Sequence, residues 1–185
     1  MTKWFEDIIV DEPHNIGSHT FSEAEMIKFS KNYDNQYYHT DPDLAVHSHF
    51  GGLIGSGWHT ACIGHRYMVD YLFEVERQLL DAGEKPGVSG PSPGINSMKF
   101  TTPVRDGDTI SYEMTVTSKR KTASVPGWGI LMVQITAQNQ RGEQVYIQES
   151  AGFSKLRDFK PSLKMRLQEW AIKQHWLRKI MVSNK

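Results

Sequence analysis

The chain has 185 residues, which is enough for one domain with a hydrophobic core and short for two ordinary domains. Lysine plus arginine and aspartate plus glutamate number 21 each, so no excess of charge favours a nucleic acid or an anionic membrane as partner. The apolar fraction of 38% is ordinary, the apolar runs are far shorter than a membrane span, and the first residues lack the basic-then-apolar pattern of a secretory signal. We therefore expect one cytoplasmic domain over residues 1–185 that binds neither nucleic acid nor membrane.

The N-terminal part of the chain predicts a strand followed by a helix. HNIGSHTF, residues 14–21, fits a short strand. SEAE at 22–25 is typical of a capping box, with Ser22 as the N-cap and a glutamate three positions later. We therefore predict that a helix begins at this serine and ends near Tyr33.

The segment after this helix is the most unusual stretch of the chain. YDNQYYHTDP, residues 33–42, sets Asp34 and His39 five positions apart at a helix end and then turns at an Asp-Pro pair. Aspartate favours a helix cap and proline a first turn, so a second short helix is predicted from this pair to about Phe50.

A glycine-rich loop and a long helix follow. HFGGLIGSG, residues 49–57, has four glycines in nine positions, which lets the backbone approach another group closely. From Trp58 to about Asp81 the apolar residues recur at three- and four-residue steps, which predicts a long helix with an apolar stripe. Cys62, the single cysteine, lies among apolar neighbours in this helix, so we interpret it as a buried, inert thiol.

The C-terminal half changes to a period of two, which is typical of strands. Tight turns at Arg105–Asp108 and Gln140–Glu143 separate these strands, so antiparallel pairing is predicted. Mixed apolar and basic residues from 162 to about 181 predict an amphipathic helix, and we assign 160–185 as a C-terminal helical extension of the domain. The predicted strand segments are SMKFTTPV, TISYEMTVTSKR, GWGILMVQITAQN and QVYIQESAGFSKL.

A long helix wrapped by a curved antiparallel sheet is the hot-dog fold, an α+β architecture. Three stretches then make the chain similar to the MaoC-like (R)-specific enoyl-CoA hydratase and acyl dehydratase family. They are YDNQYYHTDP, GGLIGSGWHT and FTTPVRDGDTI, in this order, and the similarity spans roughly residues 15–157.

The family's first motif is Gly-Asp-x-Asn-Pro-x-His, and this chain keeps its aspartate and histidine as Asp34 and His39. Tyr33, Gln36 and Tyr37 replace the glycine, asparagine and proline. The resemblance implies that the aspartate and histidine grip one water molecule. It also implies that the N–H of Gly57, at the start of the long helix, holds the thioester oxygen of the substrate.

The chemistry of these three groups fits that assignment. Adding water across a double bond conjugated to a thioester needs a base, an acid and a donor for the developing oxyanion. A carboxylate and an imidazole that lie close together shift each other's pKa, and a helix N-terminus offers free N–H groups. We therefore predict that Asp34, His39 and Gly57 are catalytic.

Further residues are assigned to substrate binding, and several plainer interpretations stay open. Gln36 is a candidate orienting amide, and a family position that often carries serine falls on His65. Asp34 also fits an Asx turn, His39 an exposed loop residue and His65 a core or interface histidine. The predicted substrate-binding residues are Gln36, Gly55, Ser56 and His65.

A metal site is the other interpretation that the histidines invite. His39, His47 and His49 lie close in the sequence, but a spacing of two places the last two on different faces of a helix. We therefore predict no metal and no cofactor other than coenzyme A as part of the substrate.

The resemblance implies reversible hydration of trans-2-enoyl-CoA to (R)-3-hydroxyacyl-CoA by a homodimer or a larger homo-oligomer. One alternative is an acyl-CoA thioesterase on the same fold, in which Asp34 or Glu74 helps water to attack the carbonyl. Another is a protein that binds acyl-CoA without catalysis.

Overall fold

The computed structural model describes residues 3–163, 165–167 and 170. The predicted C-terminal helix at 162–181 lies largely outside these residues, so it stays a prediction. The helices are α1 (Glu23–Tyr33), α2 (Tyr37–Thr40), α3 (Pro42–Ala45) and α4 (Gly57–Asp81). The strands are β1 (Pro13–Thr20), β2 (Gly94–Phe100), β3 (Thr109–Lys121), β4 (Trp128–Gln138) and β5 (Gln144–Lys155).

The described strands form one five-stranded antiparallel sheet in the order β1-β3-β4-β5-β2. Buried residues alternate with more exposed ones along β3 and β4, as a strand with one face toward a core requires. Ile110, Tyr112 and Met114 are among the inward-facing residues of β3 and are almost fully buried. With α4 as its long central helix, the chain has the predicted α+β hot-dog fold.

Helix α4 begins where the glycine-rich loop ends, within one residue of the predicted start. The Ser56 hydroxyl oxygen accepts a hydrogen bond from the Trp58 N–H at 3.2 Å and caps the helix. Gly64 then brings the helix close to the sheet, because a Cβ at this position would lie 2.9 Å from the ring of Tyr112. The hydroxyl of this tyrosine donates to Thr60 O at 3.1 Å and ties α4 to β3.

The first helices are shorter than α4 and are set by their caps. Ser22 caps α1, as predicted, and accepts from the Glu25 N–H. Asp41 caps α3 by accepting from two backbone N–H groups at 3.0 Å. The prediction that this helix continues to about Phe50 was wrong, because the chain leaves α3 after Ala45 through tight turns before the glycine-rich loop.

The interpretation of Cys62 as a buried thiol was also wrong, because this side chain is exposed. Ala61 and Gly64 are buried on α4, whereas the cysteine lies beside them around the helix and lines an open cavity. Apolar neighbours in the sequence therefore did not decide its burial. Within the described part of the chain, no helix is both long and apolar enough to cross a membrane.

Candidate active site

His39 is a buried histidine whose ring is held in one orientation. It lies on the single-turn helix α2, is 5% exposed, and its Nδ1 is 2.8 Å from Ile54 O. A backbone carbonyl can only accept a hydrogen bond, so Nδ1 carries the proton in the neutral ring. Nε2 is then the free basic nitrogen, and it lies 3.4 Å from Oδ2 of Asp34.

Asp34 lies at the C-terminal end of α1 and accepts hydrogen bonds on both carboxylate oxygens. The Ser56 hydroxyl donates to Oδ2 at 2.6 Å, and the Gln36 amide donates to Oδ1 at 2.8 Å. Burial raises the pKa of Asp34, but the hydrogen bonds from Ser56 and Gln36 and the nearby His39 outweigh burial and lower it below its ordinary value. The carboxyl group is therefore ionised at neutral pH.

Gln36 joins this carboxylate to a neighbouring tyrosine. Its side-chain oxygen accepts a hydrogen bond from the Tyr38 hydroxyl, while its amide nitrogen donates to Asp34. The two contacts fix which way the amide points. Gln36 thus occupies the position of the family's asparagine and contacts the aspartate directly.

The start of α4 contributes Ser56 and Gly57 to this group. Ser56 is fully buried, and the N–H of Gly57 makes no hydrogen bond with any residue in the described part of the chain. A Cβ on Gly57 would lie 2.6 Å from the ring of Phe100, so glycine is required for this close approach. The N–H of Gly55 donates to Val104 O at 2.8 Å and is engaged within the fold.

A large cavity extends from this helix start between α4 and the sheet. It has a volume of about 640 Å³, and Trp58, next to Gly57, lies at its wall. Asp34, His39 and Gly57 are not among the residues that line it; Trp58, which follows Gly57 in the chain, is the lining residue next to this group in sequence. Most of its wall is apolar; the lining includes Ala61, Met68, Leu72, Ile95, Met98, Met114, Leu131 and Val133.

Comparison with known protein families shows which family the chain belongs to. The family model for a MaoC-like domain matches residues 6–127, about two thirds of the chain, including the Asp–His segment and the start of α4. The chain belongs to the MaoC-like family. The match agrees with the resemblance carried by the three motifs.

Individual proteins match this MaoC-like domain at low sequence identity. Protein MaoC of Klebsiella aerogenes is 30% identical over 122 residues, 65% of this chain, and that match spans only 32% of the Klebsiella protein. A MaoC-like dehydratase from Rhodospirillum rubrum has a solved structure with a TM-score of 0.64 and 27% identity, covering 86% of this chain and 99% of that one. The R-hydratase PhaJ1 from Pseudomonas aeruginosa, at 16% identity and a TM-score of 0.55, covers 87% of this chain and 96% of its own and shares the fold.

The structure of the MaoC-like domain brings together some of the predicted site residues and separates others. Asp34, Gln36, His39 and Ser56 form one hydrogen-bonded or close-contact group, with Gly57 next to it. His65 lies eight residues further along α4, about 12 Å along a helix axis, where it lines the cavity.

Two features of this site have no signal in the sequence. Phe100 packs on Gly57, and Gln148 is a buried polar residue in the cavity wall, yet both occupy ordinary positions in predicted strands. The period-two pattern placed Gln148 on a strand, but no local signal marks its contact with the cavity.

His59 is another residue of α4 whose environment the sequence did not define. It is buried between the rings of Phe21 and Phe29, stacked on the latter at 4.4 Å, and its Nδ1 has no hydrogen-bond partner among the described residues. Burial lowers the pKa of this ring. His59 is therefore a neutral histidine of the core.

Proposed function

We propose that this MaoC-like domain adds water reversibly to trans-2-enoyl thioesters of coenzyme A. The observation that carries the proposal is the approach of two basic groups, His39 Nε2 and Asp34 Oδ2, to 3.4 Å beside the free N–H of Gly57. Both groups are acceptors when the ring is neutral, so a water molecule that donates to both satisfies them together.

In the proposed reaction, one proton of this water passes to the Asp34–His39 pair while its oxygen bonds to C3 of the enoyl group. The electrons of the double bond shift toward the thioester oxygen, where the Gly57 N–H and the dipole of α4 stabilise the negative charge. The Asp34–His39 pair then gives this proton to C2, where the returning electrons of the enolate form the new C–H bond, and the pair is restored. The resemblance to the family supports the (R) stereochemistry of the product.

The acyl chain of the substrate is proposed to occupy the cavity between α4 and the sheet. The support is continuity, since Trp58 follows Gly57 directly and lines the cavity. An apolar wall of this kind favours a hydrocarbon chain over water.

The thioesterase alternative that uses Glu74 has less support from the geometry, whereas the form that uses Asp34 shares the proposed site and is separated by experiment. Glu74, the candidate helix carboxylate, lies in the second half of α4 and pairs with Arg77 at 2.6 Å on the protein surface. A thiol reagent that detects release of coenzyme A from a saturated acyl-CoA separates the two activities. The expected homo-oligomer and the cytoplasmic location stay predictions.

The test of the proposal is the hydration of crotonyl-CoA, followed by the loss of enoyl-thioester absorbance. We expect Asp34→Asn and His39→Ala each to lower kcat/KM by about 10²-fold or more, because each removes one group that handles the water proton. Circular dichroism checks that both variants are folded.

Two matched variants control for nearby changes of the same kind. Asp41→Asn changes a carboxylate that caps α3, and asparagine caps helices equally well. His47→Ala removes an exposed histidine. Both are expected to keep the wild-type rate; full activity in Asp34→Asn or His39→Ala would contradict the mechanism.

A further inference from the structure

Gln148 is a buried polar side chain in the wall of an otherwise apolar cavity. It lies on β5, is 7% exposed, and contributes to the lining together with residues such as Met98, Met114 and Val133. An amide in such surroundings is stabilised only when its polar atoms have hydrogen-bond partners.

One end of this amide is fixed by the protein. The hydroxyl of Tyr146 donates to Gln148 Oε1 at 2.6 Å, and this tyrosine is 1% exposed. Its ring stacks on Phe100, with the centroids 5.8 Å apart and the planes at 18°. Since the oxygen end accepts from the hydroxyl, the nitrogen end is the donor that remains.

The nitrogen end has no hydrogen-bond partner among the residues that the structure describes. It is also absent from the buried, unpaired atoms of that part of the chain, so it is accessible from the cavity. An apolar chain that fills the cavity would leave this donor unpaired at a cost of about 1–3 kcal/mol, whereas a ligand with an acceptor at this point avoids that cost.

The strand register relates Gln148 to the residue that packs on the start of α4. Phe100, which packs on Gly57, is opposite Tyr146 in the sheet, and Met98 is opposite Gln148. Two residues along a strand span about 7 Å, so Gln148 lies about that far along the sheet from the position that packs on Gly57, a separation that a medium-length acyl chain can span.

The charges around the cavity select the kind of acceptor. Among the described lining residues, only Arg66 is permanently charged; its side chain is 76% exposed and pairs with Asp70 at 3.5 Å. A carboxylate buried at Gln148 would lack a cationic partner, which makes its desolvation costly. An uncharged oxygen meets no such cost.

We propose that Gln148 is a specificity-determining residue that donates a hydrogen bond to an uncharged oxygen on the acyl chain. The substrate class is therefore an enoyl-CoA whose chain carries a keto or hydroxyl group beyond the reacting carbons. This inference rests on the proposed function for the reaction, but its binding component is measurable without turnover.

The experiment compares pairs of acyl-CoA molecules of equal chain length, with and without a keto group placed several carbons from the thioester. For the wild-type protein, we expect kcat/KM of the enoyl pair and Kd of the saturated, unreactive pair to favour the keto compound by about 10-fold. Equal values for both members of the saturated pair would overturn the inference.

Gln148→Met is the central variant, because methionine is of similar size and has no amide donor. It should lose the preference for the keto compound and bind the plain chain as well as, or better than, the wild type. Tyr146→Phe keeps the ring that stacks on Phe100 but frees the amide, and should lose part of the preference. A keto preference that survives in Gln148→Met, with the variant folded by circular dichroism, would assign the recognition elsewhere.

The two kinds of failure are distinguishable. Hydration without any keto preference would leave the proposed reaction standing and overturn the role of Gln148. A preference in Kd that depends on Gln148, without hydration of any enoyl-CoA, would support the role of Gln148 and overturn the proposed reaction.

Discussion

At the scale of single residues, Asp34 owes its state to side chains that come from separate segments. Gln36 is local, but Ser56 reaches the carboxylate from the start of α4, 22 positions away. The same serine oxygen also caps α4. One residue therefore positions the carboxylate and starts the helix whose first N–H is proposed to hold the substrate oxygen.

Ser56→Ala should raise the pKa of Asp34. The hydroxyl stabilises the ionised carboxylate, so its loss moves this pKa up from its present lowered value. The variant also loses a helix cap, which costs about 1 kcal/mol of stability. The measurement is an NMR titration of the Asp34 carboxyl carbon at a temperature where both proteins are folded.

Ser22→Ala is the matched control, because Ser22 caps α1 and makes no contact with Asp34 in the described hydrogen bonds. It should lower stability by a similar amount and leave the pKa of Asp34 unchanged. An Asp34 pKa that stays the same in Ser56→Ala would restrict Ser56 to the role of a cap.

At the scale of elements, the distance between α4 and the sheet depends on one glycine. Gly64 is buried on the face of α4 that meets β3, and the Tyr112 ring occupies the space of a side chain there. The backbone of this glycine is ordinary helix, so the need for glycine comes from packing alone. The close approach sets the height of α4 above the inner face of β3.

Gly64→Ala should therefore destabilise the protein although alanine is the better helix former. Alanine gains about 1 kcal/mol in helix propensity, but overpacking against Tyr112 costs about 1–3 kcal/mol, so we expect a net loss of up to about 2 kcal/mol. Urea unfolding followed by circular dichroism measures the change. His65→Ala, at the next and exposed position of the same helix, is the control and should be neutral or slightly stabilising. A Gly64→Ala variant that is more stable than the wild type would show that the Tyr112 ring moves aside without cost.

At the scale of the whole molecule, Asp108 connects the two turns at one end of the sheet. Its carboxylate is 4% exposed and accepts from the Arg105 N–H, the Gln140 amide and the Arg141 guanidinium at 2.8–2.9 Å. Its backbone oxygen accepts from the N–H of Phe21, at the junction of β1 and α1. The sequence predicts only a turn at this aspartate, and its contacts with the second turn come from the fold.

Asp108→Asn should destabilise the protein by about 1–3 kcal/mol at neutral pH, because it removes the charge that these donors stabilise. Burial raises the pKa of Asp108, but the hydrogen bonds from Arg141, Arg105 and Gln140 outweigh burial and lower it. The contribution of a carboxyl with a lowered pKa is complete above the pKa of the unfolded chain and is lost as pH falls through the folded value.

The measurement for Asp108→Asn is urea unfolding at several pH values. The difference in the free energy of unfolding between wild type and variant should be largest near neutral pH and should disappear in acid. Asp106→Asn, in the same turn, is the matched control and should cost less, since among the described residues its carboxylate accepts one hydrogen bond, from the Glu23 N–H. A difference in the free energy of unfolding that stays unchanged in acid would assign the effect to packing.

The sequence by itself determined the features that follow from local rules. The cap at Ser22, the long helix from the glycine-rich loop and the alternation along β3 and β4 depend on neighbours a few positions apart, and they appear in the structure. The spacing of Asp34 and His39 across a helix end likewise brought them close together.

Only the tertiary structure decided which distant side chains meet. The hydroxyl of Ser56 on Asp34, the ring of Phe100 on Gly57 and the amide of Gln148 in the cavity wall all depend on how α4 crosses the inner face of the sheet. The exposure of Cys62 depends on the same crossing. Local patterns specify which face of an element is apolar, but contacts between distant elements are set by packing, which no single stretch of sequence contains.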